Sequence, residues 1–301
     1  MPLGGRWAPP WTAVPYRQMD MPQPGKNMPP ILANKSPETP SVFLPTALLR
    51  EARRQKQLNT ADVPAVCILD PDGDILRRLK ASGRARPFEA WPCYHTELNT
   101  FSLAGQTVGI VGCVVGAPFA VLVAEELFAS GCRLLLSLTS AGQIVTAGAP
   151  PYFVIIERAL RDEGTSYHYA PASEFADADP ELVAMARSAL EDNGLEALVG
   201  ASWTTDAPFR ETAAAIESAR QRGVLAVEME AAALYAFARA RDAAVLCLAH
   251  VTNTMGQSEQ DFEKGEANGT ADALKILETI ARATATQASA AQAILQPTCA
   301  A

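Results

Sequence analysis

Three things are scarce in this 301-residue chain: positive charge, long apolar runs and paired cysteine motifs. Lys and Arg number 25 against 33 Asp and Glu, a net charge of -8, which argues against a surface for nucleic acid or anionic membrane. The longest apolar runs, such as AAVLCLA and LLLSL, fall far short of the ~20 residues that span a bilayer. Pro and Gly stand near the N-terminus where the apolar core of a signal peptide would be, so a cytoplasmic location is expected. The six cysteines (Cys67, Cys93, Cys113, Cys132, Cys247, Cys299) make no CxxC pair and no metal-like cluster. Buried free thiols and no metal site are the expectation.

What is present is a globular composition, 49% hydrophobic and 19% charged. Half of the 22 prolines fall in residues 1–45, which predicts a poorly ordered extension ahead of a single domain over 46–285. Residues 286–301 read as an Ala-rich tail. A short amphipathic helix, PTALLREARRQKQL, opens the domain. From Val63 onward VPAVCILD, TVGIVGCVV, CRLLLSLTSAG, YFVIIE, LEALVGAS, VLAVE and AAVLCLAHV read as strands. Between and after them, APFAVLVAEELFASG, DPELVAMARSALEDNG, RETAAAIESARQRG, EAAALYAFARARD and DALKILETIARATA have helical spacing, several with a glycine stop. This alternation predicts an α/β fold, a single-domain three-layer α/β/α arrangement around a central, largely parallel (mixed) sheet.

Ligands of such sheets collect at the carboxyl ends of strands. LDPDGD, VVGAP, LTSAGQ, ASWTTDAPF, AVEME and HVTNTMG each follow an apolar strand and are small or polar. AVEME is the most unusual, because Glu228 and Glu230 sit inside an otherwise apolar run and buried carboxylates need partners.

VEMEAAALYAFA, the block GQTVGIVGCVVGAPFAVLVAEELFASGCRLLLSLTSAG and the segment WTTDAPFRET together resemble the nucleoside phosphorylase/nucleosidase family, on its uridine phosphorylase-like branch. The resemblance covers roughly residues 63–285 and implies cleavage of a nucleoside's N-glycosidic bond. The pentosyl group passes to phosphate, the family default, or to water. It further implies a small-molecule nucleoside partner, no cofactor beyond phosphate as co-substrate, and a homodimer or ring of dimers.

By the same resemblance Glu230 is the ribose ligand and Met229 lines the sugar's apolar face, while Glu228 either backs the site or caps a helix. Ser140, Ala141 and Gly142 correspond to the family's SAG-type loop. Family phosphorylases hold phosphate with arginines; Gly73, Ser137 and the Tyr94–His95 stretch stand at those positions here. Two readings stay open. Asp70 or Asp72 activates a water, as the acid after the first strand does in nucleosidases, or His95 with Arg84 or Arg86 rebuilds an anion site. Purine-cleaving relatives carry an Asp where this chain has Asn253, which donates a hydrogen bond but delivers no proton. Trp203 and Phe209 either stack on a base or serve as core aromatics, and Asp206 is a base contact or a turn residue. A non-catalytic nucleoside-binding protein of the same fold is the third reading.

Overall fold

The computed structural model describes residues 29–33, 35–255 and 261–294, with side chains to 285. The chain divides into Met1–Asn34 and Lys35–Ala301. In the first unit residues 29–33 form a turn in which the Leu32 amide donates to the Pro29 carbonyl at 2.9 Å. The rest of the Pro-rich extension to residue 28, and the end of the Ala-rich tail, lie outside the described residues.

The second unit is built on one mixed sheet. β1 (Val66–Asp70) lies in parallel between β4 (Gln106–Gly112) and β5 (Leu134–Gln143). β3 (Asn99–Leu103) adds antiparallel to β4, and the two-residue β2 (Arg86–Pro87) closes that edge. On the other side of β5 runs β10 (Ala244–Asn253), parallel to it along nearly its whole length. β6 (Tyr152–Asp162) is antiparallel to β10 and parallel to β8 (Leu198–Thr205), which is parallel to β9 (Val224–Glu228). β9 then returns to the end of β5, pairing Val227 with Gly142 and Ala226 with Gln143. β5, β10, β6, β8 and β9 therefore form a closed ring, and a short β7 (Phe175–Asp177) flanks β6.

Alternation along the strands explains the layers. Cys67 and Leu69 of β1 face a cluster with α3 (Ala117–Phe128) and α6 (Ala231–Arg241), while Val66 and Ile68 face a second cluster on the opposite side. That second cluster includes α2 (Asp74–Ala81), α4 (Pro180–Asp192) and α7 (Thr270–Ile294). Both faces of β1 are thus covered, which is why all five of its residues are buried and apolar until Asp70. α5 (Ala213–Gln221) covers a third cluster inside and around the ring, and α1 (Pro45–Lys56) begins at Pro45 as its sequence predicts. Asp179 caps α4, its carboxylate accepting the Glu181 and Leu182 amides. Four of the five described cysteines are buried; Cys113 is exposed.

α2, β2, β3 and β7 are elements beyond those expected from the sequence, and in LDPDGD the turn of residues 71–73 joins β1 to the eight-residue α2. The sheet is mixed, as expected, with β6, β8 and β9 running against β5 and β10. The ends of β8 and β9 still reach the end of β5, because Thr204 pairs with Glu228 and Val227 with Gly142.

Candidate active site

The strand ends that meet are those of β1, β5, β8, β9 and β10. At the end of β9 the chain turns sharply into α6, and four backbone amides there have no helical partner. Glu228, 3% exposed, takes two of them: its Oε2 accepts the Glu230 amide at 2.7 Å and the Ala231 amide at 2.8 Å. Its Oε1 accepts the Ser202 hydroxyl at 3.0 Å and the Thr204 hydroxyl at 2.5 Å, and Thr204 in turn accepts the Ala232 amide at 2.9 Å. Glu228 is the cap that sets where α6 begins.

Glu230 is the second buried carboxylate, 1% exposed, and its situation differs. Oε1 accepts the Gly116 amide at 2.7 Å; Oε2 has no hydrogen-bond partner among the described residues. Gly116 adopts φ 94 at the start of α3, a left-handed conformation that favours glycine, and so presents its N–H to the carboxylate. Burial, then the charge of Glu228, push Glu230 up to about 8, with the Gly116 amide and the Thr139 hydroxyl acting in the opposite direction. Burial also raises Glu228, opposed by its four hydrogen-bond donors, the Thr204 hydroxyl first among them. Met229, between them, is half-buried.

Asp70 ends β1 and is 2% exposed. Its Oδ1 accepts the Gly73 amide (3.2 Å) and its Oδ2 the Leu76 amide (2.8 Å), so it ties the strand to the start of α2. Burial, opposed by the Leu76 amide, raises its carboxyl to about 7. One amide on each oxygen gives Asp70 the role of a clamp in the turn into α2. Asp72 is different: its Oδ2 accepts the Ser140 amide at 3.0 Å and lies 3.7 Å from Lys264 Nζ. Ala141 and Gly142 continue β5, and a Cβ on Gly142 would sit 2.4 Å from Met255 Sδ and 3.3 Å from Asn253 Oδ1. A side chain there would displace Met255.

Several expected base contacts are engaged elsewhere. Trp203 is 4% exposed in the ring's core and donates its Nε1–H to Asp162 at 3.0 Å, so the core reading holds for it. Asp206 accepts the Gly164 amide at 2.9 Å as a turn residue. Asn253 donates to the Ala141 carbonyl (3.4 Å) and the Thr252 hydroxyl (3.2 Å) and accepts the Met255 amide (2.9 Å), which leaves little of its amide for a base. Phe209 is 99% exposed on the short turn Pro208–Arg210 after β8 and remains available for stacking. His250, buried and stacked on Phe153 with ring centroids 4.5 Å apart, is a core histidine.

His95 does not join this chain's mouth. It is exposed on the loop between β2 and β3, beside Tyr94 and Cys93. β2 stands four strand spacings from β5, roughly 19 Å. Arg84 and Arg86 are exposed at the same edge. Sequence reading missed Gly116, Thr139, Thr204, Arg77 and Lys264. The hydroxyls of WTT were the available signal for Thr204; nothing in FEKGEANG marks Lys264, which arrives from about 190 residues beyond Asp74.

Residues 65–295 match a family model described as the phosphorylase superfamily. A guanosine phosphorylase of Halorubrum lacusprofundi is 32% identical over 142 residues, 46% of this chain and 57% of that protein. A uridine phosphorylase of Thermococcus kodakarensis is 27% identical over 204 residues, 61% of this chain and 73% of that one. The matched stretch thus spans little more than half of the first relative's own length. Among solved structures, a uridine phosphorylase from Vibrio fischeri superposes with a TM-score of 0.65 at 19% identity, over 77% of this chain and 99% of that one, a likeness of fold. A purine nucleoside phosphorylase from Toxoplasma gondii does so at 0.64 and 16%, over 77% and 95%. The family pattern runs through the β1 to α7 core that carries Asp70, Ser140, Glu228 and Glu230, and the chain belongs to the phosphorylase superfamily.

Proposed function

We propose that this protein cleaves the N-glycosidic bond of a nucleoside and passes the pentosyl group to phosphate. The observation that carries this is the unpaired Oε2 of Glu230, a buried carboxylate oxygen with no donor among the described residues, just past the strand that pairs with Gly142. Sugar hydroxyls supply the missing donors. As the C1'–N bond opens, its electron pair leaves with the base and positive charge builds on the ribosyl ring, where a fixed carboxylate stabilises it. An oxygen of hydrogen phosphate then bonds to C1' and its proton ends on the departed base, giving free base and pentose 1-phosphate with no redox change and no need of a cofactor. The relatives named guanosine and uridine phosphorylase support this reading. They differ in base, and the engaged Asn253 amide does not select between purine and pyrimidine.

Water is the second reading for the acceptor. It is favoured by Gly73 and Ser137 standing where family phosphorylases resembling this chain carry arginines, and by Asp72 on the Ser140 amide. A purine and pyrimidine nucleoside panel, incubated with and without phosphate, tests both. Pentose 1-phosphate formed only with phosphate is the expected result; free pentose at a phosphate-independent rate replaces it with hydrolysis. No base release under either condition leaves the non-catalytic binding reading. A homodimer or ring of dimers in the cytoplasm is the expected state, checked by light scattering and cell fractionation. No helix among the described residues is long and apolar enough to cross a membrane.

The Glu230 titration sets a pH expectation. Only the ionised carboxylate stabilises a growing cation, so kcat/KM rises with pH and levels off above about 8, the free-enzyme value. Sugar hydroxyls bound to Oε2 favour the ionised form, so the corresponding midpoint in kcat lies lower. Flat profiles between pH 6 and 9 would remove Glu230 ionisation from the rate.

A further inference from the structure

Where family phosphorylases resembling this chain place an arginine after the first strand, Gly73 leaves a space that another residue already fills. A Cβ added at Gly73 would lie 2.8 Å from Arg77 Nη1 and 2.6 Å from Cys113 Sγ. Arg77 sits one helical turn further on. Its Nη2 donates to the Asp72 carbonyl at 2.7 Å and to Asp74 Oδ1 at 2.6 Å. Its guanidinium thereby stands over the turn from which a side chain at 73 would have projected.

A second cation arrives from the other side. The segment 261–269 crosses the mouth, tied by the Glu263 amide to the Thr252 carbonyl at 2.7 Å, with Gly265, Ala267, Asn268 and Gly269 all at positive φ. It delivers Lys264, whose Nζ lies 2.6 Å from Asp74 Oδ2 and 3.7 Å from Asp72 Oδ2. The Asp72 carboxylate beside Lys264 accepts the Ser140 amide on Oδ2 at 3.0 Å. An oxyanion on a strand-end N–H with an ammonium beside it is the arrangement a phosphate oxygen would adopt. The charge of Asp72 also acts on Glu230, whose buried Oε2 is unpaired, so this position adjoins the proposed sugar site. The space enclosed under the strap, lined by Asp72, Asp74, Ser140, His250 and Lys264 among others, is about 20 Å³. That is room for about one water and none for a phosphate until Asp72 moves.

We propose that Arg77 and Lys264 are the cationic ligands of the acceptor phosphate, and that Asp72 is an internal anion which phosphate displaces from the Ser140 amide. This rests on phosphate being the acceptor. The tethered carboxylate competes with phosphate, so the wild-type chain binds it weakly, and relief of that competition strengthens binding. No covalent step is added; the exchange is one anion for another.

Calorimetric titration of the full-length chain with inorganic phosphate, without nucleoside, tests it directly. Asp72→Asn keeps the shape and removes the charge, and it should tighten phosphate binding about tenfold. Arg77→Met and Lys264→Met should each weaken binding about tenfold. Lys264→Arg, which keeps the charge, should retain wild-type affinity, and Lys275→Met, which breaks an exposed pair with Asp272 on α7, should leave it unchanged. Unaltered affinity in Asp72→Asn, unaltered affinity in both methionine variants, or no phosphate binding by any of these proteins overturns the proposal. Base release with free pentose and no phosphate binding overturns it while leaving bond cleavage in place. The tenfold pattern without any base release supports the anion site and instead defeats the cleavage reading.

Discussion

Glu230→Gln is expected to lower kcat/KM for the nucleoside by at least ~100-fold, the scale of losing one preorganised electrostatic contact to a transition state. The substitution is nearly isosteric and retains an acceptor for the Gly116 amide, now met at 2.7 Å, so the loss reports charge and not shape. It should also stabilise the protein near pH 8. Below the unfolded value of 4.5 the carboxyl is neutral in both states. Between 4.5 and about 8 the unfolded chain gives up a proton that the native state keeps, so stability falls as pH rises through that window. Glutamine does not titrate, and the variant should melt several degrees above wild type at pH 8 and close to it at pH 5. Near-normal turnover, or a melting difference independent of pH, would remove Glu230 from the centre of the site.

Glu228→Ala should produce the largest loss of stability of any change at this end of the sheet, about 3–5 kcal/mol. Two amides that cap α6 and two buried hydroxyls lose their acceptor together. Chemical denaturation measures this; a change below about 0.5 kcal/mol would mean that water or a neighbour replaces the carboxylate. Glu228→Gln can turn its oxygen to the two amides and its NH₂ to the Ser202 and Thr204 hydroxyls, which also accept, so it should fold and lose far less stability than Glu228→Ala. The two glutamates of AVEME thus separate by consequence: one substitution mainly removes chemistry, the other mainly removes the fold that positions it.

Much of the architecture was legible because hydrophobic period and glycine punctuation are local signals. VCIL, LLL and VLCLA are apolar throughout, as strands covered on both faces must be, and Asp179 before PELVAMARSALED announces its helix. α2 was missed because DILRRLKA is only eight residues long and begins inside a turn with three carboxylates. Glu230 was legible from an apolar run that offered no reason for a carboxylate. The functions of Trp203, Asp206 and Asn253 were not, since each is fixed by a partner distant in sequence: Asp162, the Gly164 amide and the Ala141 carbonyl. Asp70 and Asp72 are two residues apart and look equivalent on paper. Only the turn geometry shows that one is tied to α2 and the other to Ser140.

The ring of β5, β10, β6, β8 and β9 also governs the order in which the molecule can be completed. β5 and β6 are neighbours in sequence but not in the sheet; β10, made about 90 residues later, must enter between them. Until residues 244–253 leave the ribosome, two strands rich in Leu, Val and Ile present open hydrogen-bonding edges, the condition under which chains pair with one another. Contacts of such sequence separation close slowly. A chain cut before Ala244 would therefore lose more than one strand: it would be a sticky, unclosed sheet, and production of this protein should depend on chaperones or low temperature far more than its helix content suggests.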